Sequence, residues 1–267
     1  MSEITKNKEF KKTLEEIKKV SGLLWQKGWA EANAGNFSVN VTGYFGKTEL
    51  KIPGNGIKTG RIYKHLKENF ILLSSTGSRM RDISENPIPL LCLLYFDKTG
   101  NCFHRIPLEG SDNNKPTSEI FSHLEIHNTL RKNNSKDKVI LHTHPAEVIS
   151  LTHIKKYKNE YNINNLLYSI QPETAILFPE GIGFVPYFKT GSEKLAIETK
   201  KKFLKNKIVI WEKHGCVSTG GNFYEAFDRI DVFVKSLNIF FLVCSSGNKP
   251  DGLNVKQIKE LKKLNHR

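Results

Sequence analysis

The stretch Val139-Ile140-Leu141-His142-Thr143-His144-Pro145 joins an apolar run to two histidines that are two residues apart. The apolar run predicts a buried β-strand, and side chains two residues apart on a strand point to the same face. Both imidazoles can therefore face a single ion. Taken alone, this spacing is more often an ordinary surface pair on an edge strand, so its interpretation depends on the rest of the chain.

A third histidine, His214, follows the apolar run Ile208-Val209-Ile210-Trp211, which predicts a second strand ending near it. Three imidazole nitrogens form the ligand set of a catalytic zinc site, in which one coordination position stays open for water or substrate. We therefore predict a Zn²⁺ site made by His142, His144 and His214. The alternative is that His214 is an unrelated histidine at the end of a strand.

A carboxylate lies upstream of the histidines, in Pro116-Thr117-Ser118-Glu119-Ile120, where a helix is predicted to begin. An acidic residue in the first turn stabilises the helix dipole, and a hydroxyl before it can cap the helix, so a structural role would account for this motif alone. The same hydroxyls and free amide groups suit a phosphate. Thr117 and Ser118 are therefore candidate phosphate ligands, with Glu119 close enough to act as a base.

Two further turns combine exposed amides with small or hydroxyl side chains: Asn33-Ala34-Gly35-Asn36 and Ser74-Ser75-Thr76-Gly77-Ser78. Each alone is compatible with an ordinary turn. Both become candidate anion sites beside the histidines and Glu119. The sequence contains neither a Gly-x-x-x-x-Gly-Lys-Ser/Thr phosphate loop nor a Gly-x-Ser-x-Gly nucleophile elbow.

The composition predicts a soluble globular protein with one domain, since 267 residues with 38% hydrophobic content can bury a full core. The net charge of +14 raises the hypothesis of a nucleic-acid partner. The lysines are scattered over predicted helix faces, however, and no nucleic-acid-binding motif accompanies them. We expect no nucleic-acid partner, although the charge would favour an anionic substrate.

The cysteine pattern and the apolar runs bear on location. Four cysteines lie far apart, residues 1–12 are polar, and no apolar run approaches the length of a membrane span. These features predict reduced thiols, a cytoplasmic location and no membrane partner.

Hydrophobic periodicity predicts helices and strands that are interleaved along the chain. Predicted helices cover residues 9–27, 117–132, 145–154, 192–205, 224–243 and 255–264. Predicted strands, besides those that lead to the histidines, cover residues 36–41, 70–73, 90–96, 102–108, 174–178 and 183–185. The polar stretch 155–165 is predicted to be a loop or an insertion. The spacing does not match a doubly wound parallel sheet, so we expect another α/β architecture.

The motifs together resemble the class II aldolase/adducin family. They are Gly35-Asn36-Phe37-Ser38, Thr76-Gly77, Thr117-Ser118-Glu119, His142-Thr143-His144-Pro145 and His214-Gly215, and the resemblance runs from about Gly28 to Val243. Within the family, the chain is most similar to the branch that cleaves L-rhamnulose 1-phosphate. This similarity rests on the length of the chain and on the segments Glu173–Gly183 and Glu225–Asp231. The resemblance implies one catalytic domain over residues 1–267, a three-layer α/β/α sandwich with a largely antiparallel central sheet, and a homotetramer.

The chemistry implied by the resemblance is Zn²⁺-dependent retro-aldol cleavage into dihydroxyacetone phosphate and L-lactaldehyde. One Zn²⁺ per subunit would be held by the three histidines, and Glu119 would handle the proton on the dihydroxyacetone phosphate half. Glu173 matches a second acid that serves the aldehyde half from a neighbouring subunit. The residues that match phosphate-side positions are Asn33, Asn36, Thr76, Gly77, Thr117 and Ser118.

Alternative functions remain at this stage. L-fuculose-phosphate aldolase, ribulose-phosphate 4-epimerase and methylthioribulose-phosphate dehydratase share the fold, the metal and much of the phosphate site. A non-catalytic, adducin-like scaffold would be free to lose metal ligands, whereas this chain keeps three histidines and Glu119. A basic nucleic-acid binder would leave the histidines unexplained, and its binding would fall steeply with salt.

Overall fold

A computed structural model of the protein describes residues 3–45, 52–54, 56–111 and 114–266. Within these ranges the helices are α1 (Glu3–Lys6), α2 (Lys8–Gln26), α3 (Met80–Glu85), α4 (Ile120–Lys132), α5 (Ala146–His153), α6 (Glu160–Ile170), α7 (Pro172–Leu177), α8 (Glu193–Lys202), α9 (Phe223–Ser245) and α10 (Val255–Lys262). The strands are β1 (Asn36–Asn40), β2 (Ile57–Lys58), β3 (Phe70–Ser74), β4 (Leu91–Phe96), β5 (Cys102–Ile106), β6 (Val139–Thr143), β7 (Gly183–Val185), β8 (Ile208–Trp211) and β9 (Gly215–Gly220). Short 3-10 helices cover Thr42–Tyr44, Ile88–Leu90, Lys155–Tyr157 and Lys263–His266.

The described strands form one sheet in the order β2-β5-β4-β3-β1-β6-β9-β8-β7. Every neighbouring pair is antiparallel except β7 and β8, which are parallel. Strand β6 lies between β1 and β9, and it is buried along its whole length. The pattern Val-Ile-Leu before His142 is explained by this central position, because a strand covered on both faces is apolar at consecutive positions.

Helices cover both faces of the sheet. On one face, Ile140 of β6 and Val209 of β8 pack with Ile126 of α4 and Leu195 of α8 in one buried cluster. On the other face, Leu141 belongs to a larger cluster that also contains side chains of α2, α5, α6 and α9. The expected α/β/α sandwich with a largely antiparallel sheet is confirmed.

Helix boundaries follow capping chemistry. Asn7 accepts a hydrogen bond from the Phe10 amide at 3.0 Å and begins α2, and Asn222 accepts one from Glu225 at 2.9 Å and begins α9. Such side chains satisfy amide groups that have no partner inside the helix. The predicted helices at 9–27 and 224–243 are confirmed within two residues. No helix of the described residues is both long and apolar enough to span a membrane.

Two local predictions are wrong. The sequence predicts a strand at residues 174–178, but these residues lie largely in α7, which begins at Pro172. Proline is favoured there because its fixed φ suits the first helical turn and its missing amide hydrogen is not needed. The polar stretch 155–165 is predicted to be a loop or an insertion, and the loop is wrong, because α6 begins within this stretch after an Asn159 cap and buries Ile163.

Strand β9 and helix α3 are absent from the prediction, and α4 begins at Ile120, three residues later than expected. All six residues of β9 are buried and several are small, so its sequence lacks the alternation that marks a strand covered on one face.

Candidate metal centre and its carboxylate

Strand β6 and the turn between β8 and β9 bring the three predicted histidines together. Ligand nitrogens of His142, His144 and His214 lie within 4.8 Å of one another. The Nε2 atoms of His142 and His144 are 2.9 Å apart. His142 is buried, and the other two are partly exposed, so the cluster lies at the surface end of the strand.

Hydrogen bonds on the far side of the rings determine which nitrogens face the centre. Nδ1 of His142 lies 2.9 Å from the Cys216 carbonyl oxygen, which can only accept, so this nitrogen carries the proton. Nδ1 of His144 lies 3.3 Å from Oε1 of Glu31. Both Nε2 atoms are thereby left with lone pairs directed at the centre.

Burial keeps the imidazoles of His142 and His214 neutral. It lowers the pKa of His142 well below its ordinary value and that of His214 to about 3, with neighbouring histidines adding to the effect. Lone pairs that face each other at 2.9 Å repel unless a cation lies between them. The donor set therefore fits a divalent metal ion.

The turn that carries His214 is tightly constrained. Lys213 adopts a φ of 58°, unusual for a residue with a side chain, and its amide donates to the Thr152 hydroxyl at 2.9 Å. A Cβ at Gly215 would overlap the Thr143 carbonyl oxygen and lie 2.9 Å from Cδ2 of His144. Glycine is needed at 215 because the turn passes directly against the end of β6.

Trp211 forms the wall behind the histidines. Its ring centroid lies 4.5 Å from that of His142 and 5.2 Å from that of His214, against which it stacks. Its Nε1 donates to the Thr199 hydroxyl on α8 at 2.8 Å, which fixes the indole in place. The sequence predicts Trp211 only as a strand residue.

Glu119 lies immediately before α4 and is 5% exposed. Its Oε2 is 3.3 Å from Nε2 of His142, and its Oε1 is 3.5 Å from Nε2 of His214. Oε2 also accepts a hydrogen bond from Nδ2 of Asn36 at 2.8 Å. The carboxylate therefore faces the point on which the histidines converge, with one oxygen held by an amide.

The turn 74–78 lies beside the segment that precedes Glu119. The Thr117 amide donates to the Ser74 carbonyl at 3.1 Å, and the Thr76 amide donates to the Lys115 carbonyl at 2.9 Å. Thr117 is buried, whereas Thr76, Gly77 and Ser118 are exposed. These four candidate phosphate residues therefore lie on adjacent segments, three of them exposed and Thr117 buried.

The two asparagines of the other turn differ. Asn33 is exposed and follows Ala32, whose φ is 47°. Asn36 is buried, and both ends of its amide are occupied, because Nδ2 bonds Glu119 and Oδ1 bonds Nε2 of His123 at 2.6 Å. A role for Asn36 at the phosphate stays a prediction, and its visible contacts are with the carboxylate.

Glu173 lies apart from this cluster. It is exposed in the first turn of α7, a helix that packs against α6, α9 and α10. Among the described residues, no hydrogen bond or ion pair joins it to Glu119 or the histidines.

Polar residues missed by the sequence reasoning lie directly behind Glu119. His123 and His127 follow it at intervals of four on the face of α4 that covers the sheet, and Ser38 of β1 bonds both. The interval of four from Glu119 is visible in the sequence.

Comparison with known proteins gives a consistent result. The family model "Class II Aldolase and Adducin N-terminal domain" matches residues 15–241. The rhamnulose-1-phosphate aldolase of Bacteroides thetaiotaomicron is 36% identical over 252 residues, which cover 94% of this chain and 93% of that protein. The rhamnulose-1-phosphate aldolase of Yersinia pestis is 27% identical over a region that covers 90% of this chain and 88% of that protein. The crystal structure of a sugar-phosphate aldolase from Thermotoga maritima matches 91% of this chain and 99% of its own with a TM-score of 0.79 and 33% identity.

Proposed function

Because the chain belongs to the class II aldolase and adducin family, we propose that it cleaves L-rhamnulose 1-phosphate into dihydroxyacetone phosphate and L-lactaldehyde. Two rhamnulose-1-phosphate aldolases resemble it over about nine-tenths of its length, which supports this substrate over others handled by the fold. The observation that carries the proposal is the convergence of three imidazoles and one buried carboxylate on a single point. An adducin-like scaffold would have no need of that arrangement.

We assign His142, His144 and His214 as ligands of one Zn²⁺ per subunit. Three nitrogens leave a position open for substrate, as in catalytic zinc sites. A bound ion would act as a Lewis acid for the negative charge that develops on the substrate oxygens. The bonds to Cys216 and Glu31 support this role, because they hold two of the rings with Nε2 directed inward.

Glu119 is the proposed proton-transfer residue. In cleavage the C3–C4 bond breaks and its electron pair stays on C3. The C4 hydroxyl gives its proton to the second proposed acid, Glu173 of a neighbouring subunit, and C4 becomes the aldehyde carbon. Glu119, which enters the step protonated, delivers its proton to C3 and completes dihydroxyacetone phosphate. Both carboxyl groups then return to their starting states by proton exchange with water. Oε1 is the oxygen suited to carry the proton, because Oε2 already accepts from Asn36, whose NH₂ group cannot accept in return.

The phosphate would bind at the exposed residues Thr76, Gly77 and Ser118 and the neighbouring Thr117, with Asn33 and Asn36 as the further matched positions. Hydroxyl groups before a helix can donate to an anion, and the helix dipole favours its charge. The net charge of +14 adds a general attraction.

We further propose a single catalytic domain over residues 1–267, a cytoplasmic homotetramer, and action of Glu173 at the aldehyde half in a neighbouring subunit. Two observations support the position of Glu173 at a subunit interface. Its side chain is exposed, and among the described residues it has no contact with Glu119, so it can meet a second copy of the chain.

The test is an assay coupled to dihydroxyacetone phosphate release. We expect faster release from L-rhamnulose 1-phosphate than from L-fuculose 1-phosphate, loss of release after chelation, and recovery with Zn²⁺. Activity that survives complete metal removal, or cleavage of neither sugar phosphate, would refute the proposal. Faster cleavage of the fuculose compound would favour the alternative substrate.

A further inference from the structure

A continuous chain of buried hydrogen bonds runs from Glu119 into the protein, through four side chains with no assigned role in proton transfer. Oε2 of Glu119 is 2.8 Å from Nδ2 of Asn36, and Oδ1 of Asn36 is 2.6 Å from Nε2 of His123. Nδ1 of His123 is 2.7 Å from Oγ of Ser38, which is 2.8 Å from Nε2 of His127. Ser38 is fully buried, His123 and His127 are 1% exposed, and Asn36 is 9% exposed.

The direction of every bond in this chain follows from its first acceptor. A carboxylate oxygen accepts, so the Asn36 amide presents Nδ2 to Glu119 and Oδ1 to His123. Oδ1 accepts in turn, which requires the proton of His123 on Nε2 and leaves Nδ1 as an acceptor. Ser38 must then donate to His123, and its oxygen accepts from Nε2–H of His127.

Both histidines carry one ring proton at neutral pH, as this pattern requires. Burial lowers the pKa of His123 to about 4 and that of His127 to about 3. Each neutral ring has one donor and one acceptor, so only one tautomer of each satisfies the chain. If a single hydrogen bond were reversed, two donors or two acceptors would face each other elsewhere in the chain of bonds. An unsatisfied polar group in a buried site costs free energy, so the reversed pattern is disfavoured.

We propose that Asn36, His123, Ser38 and His127 are positioning residues, which lock the orientation of the Asn36 amide and thereby hold Oε2 of Glu119 and leave Oε1 free to transfer the proton. This inference rests on the proposed function, because it assumes that Glu119 moves a proton. The chain acts through Asn36 and touches no substrate. Without it, the amide could turn its oxygen toward the carboxylate and push Glu119 away from the reacting carbon.

The first experiment is carried out on the unaltered protein. Nitrogen-15 NMR of histidine-labelled enzyme distinguishes the two neutral tautomers, with single histidine substitutions used to assign the signals. We expect His123 and His127 both to be protonated on Nε2 alone. A proton on Nδ1 of His123 would overturn the proposal, whatever the enzyme cleaves.

The second experiment breaks the chain at Ser38. We expect S38A to reduce kcat about 10–100-fold, the cost typical of a displaced reacting group, with KM changed less than about threefold. Exchange of the dihydroxyacetone phosphate C–H with deuterated water should fall in parallel, and zinc content should stay at one per chain. The matched control is S218A, because Ser218 is equally buried, pairs with Leu141 and lies on the opposite face of the sheet from His142.

The third experiment separates hydrogen bonding from packing at His123. Glutamine can place an amide N–H where Nε2–H lies, whereas methionine fills similar space without a donor. We expect H123Q to retain at least about a third of kcat and H123M to lose more than tenfold. Equal activity of the two variants, or higher activity of H123M, would show a packing role and overturn the proposal.

The experiments distinguish a failure of the proposed function from a failure of the positioning role. If the unaltered enzyme cleaves no sugar phosphate, the proposed function fails, while the tautomers still report on the chain. If the enzyme cleaves rhamnulose 1-phosphate but S38A matches S218A in kcat and in exchange, the positioning role fails and the proposed function stands.

Discussion

Nδ1 of His142 lies 2.9 Å from the carbonyl oxygen of Cys216 on the neighbouring strand. The bond orients the imidazole, because it holds the ring in the tautomer that directs an unprotonated Nε2 toward His144. The partner is a backbone atom, so its position depends on the register between β6 and β9 rather than on any side chain. The pairing of the two strands therefore orients the His142 ring within the candidate metal site.

Removal of one imidazole should abolish tight metal binding and leave the fold intact. For H144A we expect zinc affinity to fall more than about 100-fold, since one ligand is lost outright. The partial exposure of His144 limits the effect on the free energy of unfolding without metal. Zinc titration and circular dichroism measure the two quantities. H153A is the control, because His153 is exposed at the end of α5; equal affinity of the two variants would contradict the assignment.

Glu119 should matter for turnover and not for metal binding. We expect E119Q to keep zinc and to lose about 10²–10⁴-fold in kcat, the range usual for a general acid or base. Glutamine retains the shape and an oxygen that can accept from Asn36, so the environment is preserved. The measurements are dihydroxyacetone phosphate release and zinc content. Turnover within threefold of the unaltered enzyme would refute the role of Glu119.

Gly215 should tolerate no side chain. In G215A the new Cβ meets the Thr143 carbonyl and the His144 ring, so either β6 or the turn must move. We expect a loss of about 1–3 kcal/mol in the free energy of unfolding, as for other overpacked sites, together with weaker zinc binding. Denaturant unfolding measures the first effect. G43A is the control, because a Cβ at Gly43 meets no atom within 4 Å; a similar loss in that variant would contradict the steric argument.

Acid should weaken the fold through Asp137. Burial alone would raise the pKa of this carboxyl, but hydrogen bonds from Lys207 and Thr219 and the charge of Arg229 outweigh burial and lower it. A carboxylate with a lowered pKa in the folded state stabilises the fold above its unfolded pKa, about 3.9, and this contribution is lost as pH falls below that value.

For D137N we expect a loss of about 1–3 kcal/mol at pH 7, because Asp137 is buried while its partner Lys207 is one-third exposed. The difference in the free energy of unfolding between D137N and the unaltered protein should shrink steadily as the pH falls from about 5 to about 2. Urea unfolding at several pH values measures it. A difference that grows on acidification would contradict the sign of the pKa shift.

The sequence predicts the proximity of His142 and His144 well because the signal for it is local. Two histidines at an interval of two need only a strand to share a face, and β6 is recognisable from its apolar run. Long helices such as α2 and α9 are equally visible from their periodicity and caps. Strand β9 is missed, since a short, fully buried segment of small residues has no alternation to detect.

Contacts between distant segments could not be predicted from single motifs. Asn36 and Glu119 are 83 residues apart, and their hydrogen bond depends on the packing of α4 over β1. The sequence therefore assigns Asn36 by resemblance to the phosphate, whereas its amide bonds the carboxylate. The helix that begins at Pro172 is a different case, because the proline is itself a local signal for a first helical turn.

The bond between His142 and Cys216 joins residues 74 positions apart in the chain. During synthesis on the ribosome, β6 would therefore emerge long before the strand and turn that orient its imidazoles and supply His214. A nascent chain that ends before β8 would hold two histidines with no fixed tautomer and no third ligand. We expect metal capture to be a late step in maturation, and a truncated chain to compete poorly for zinc.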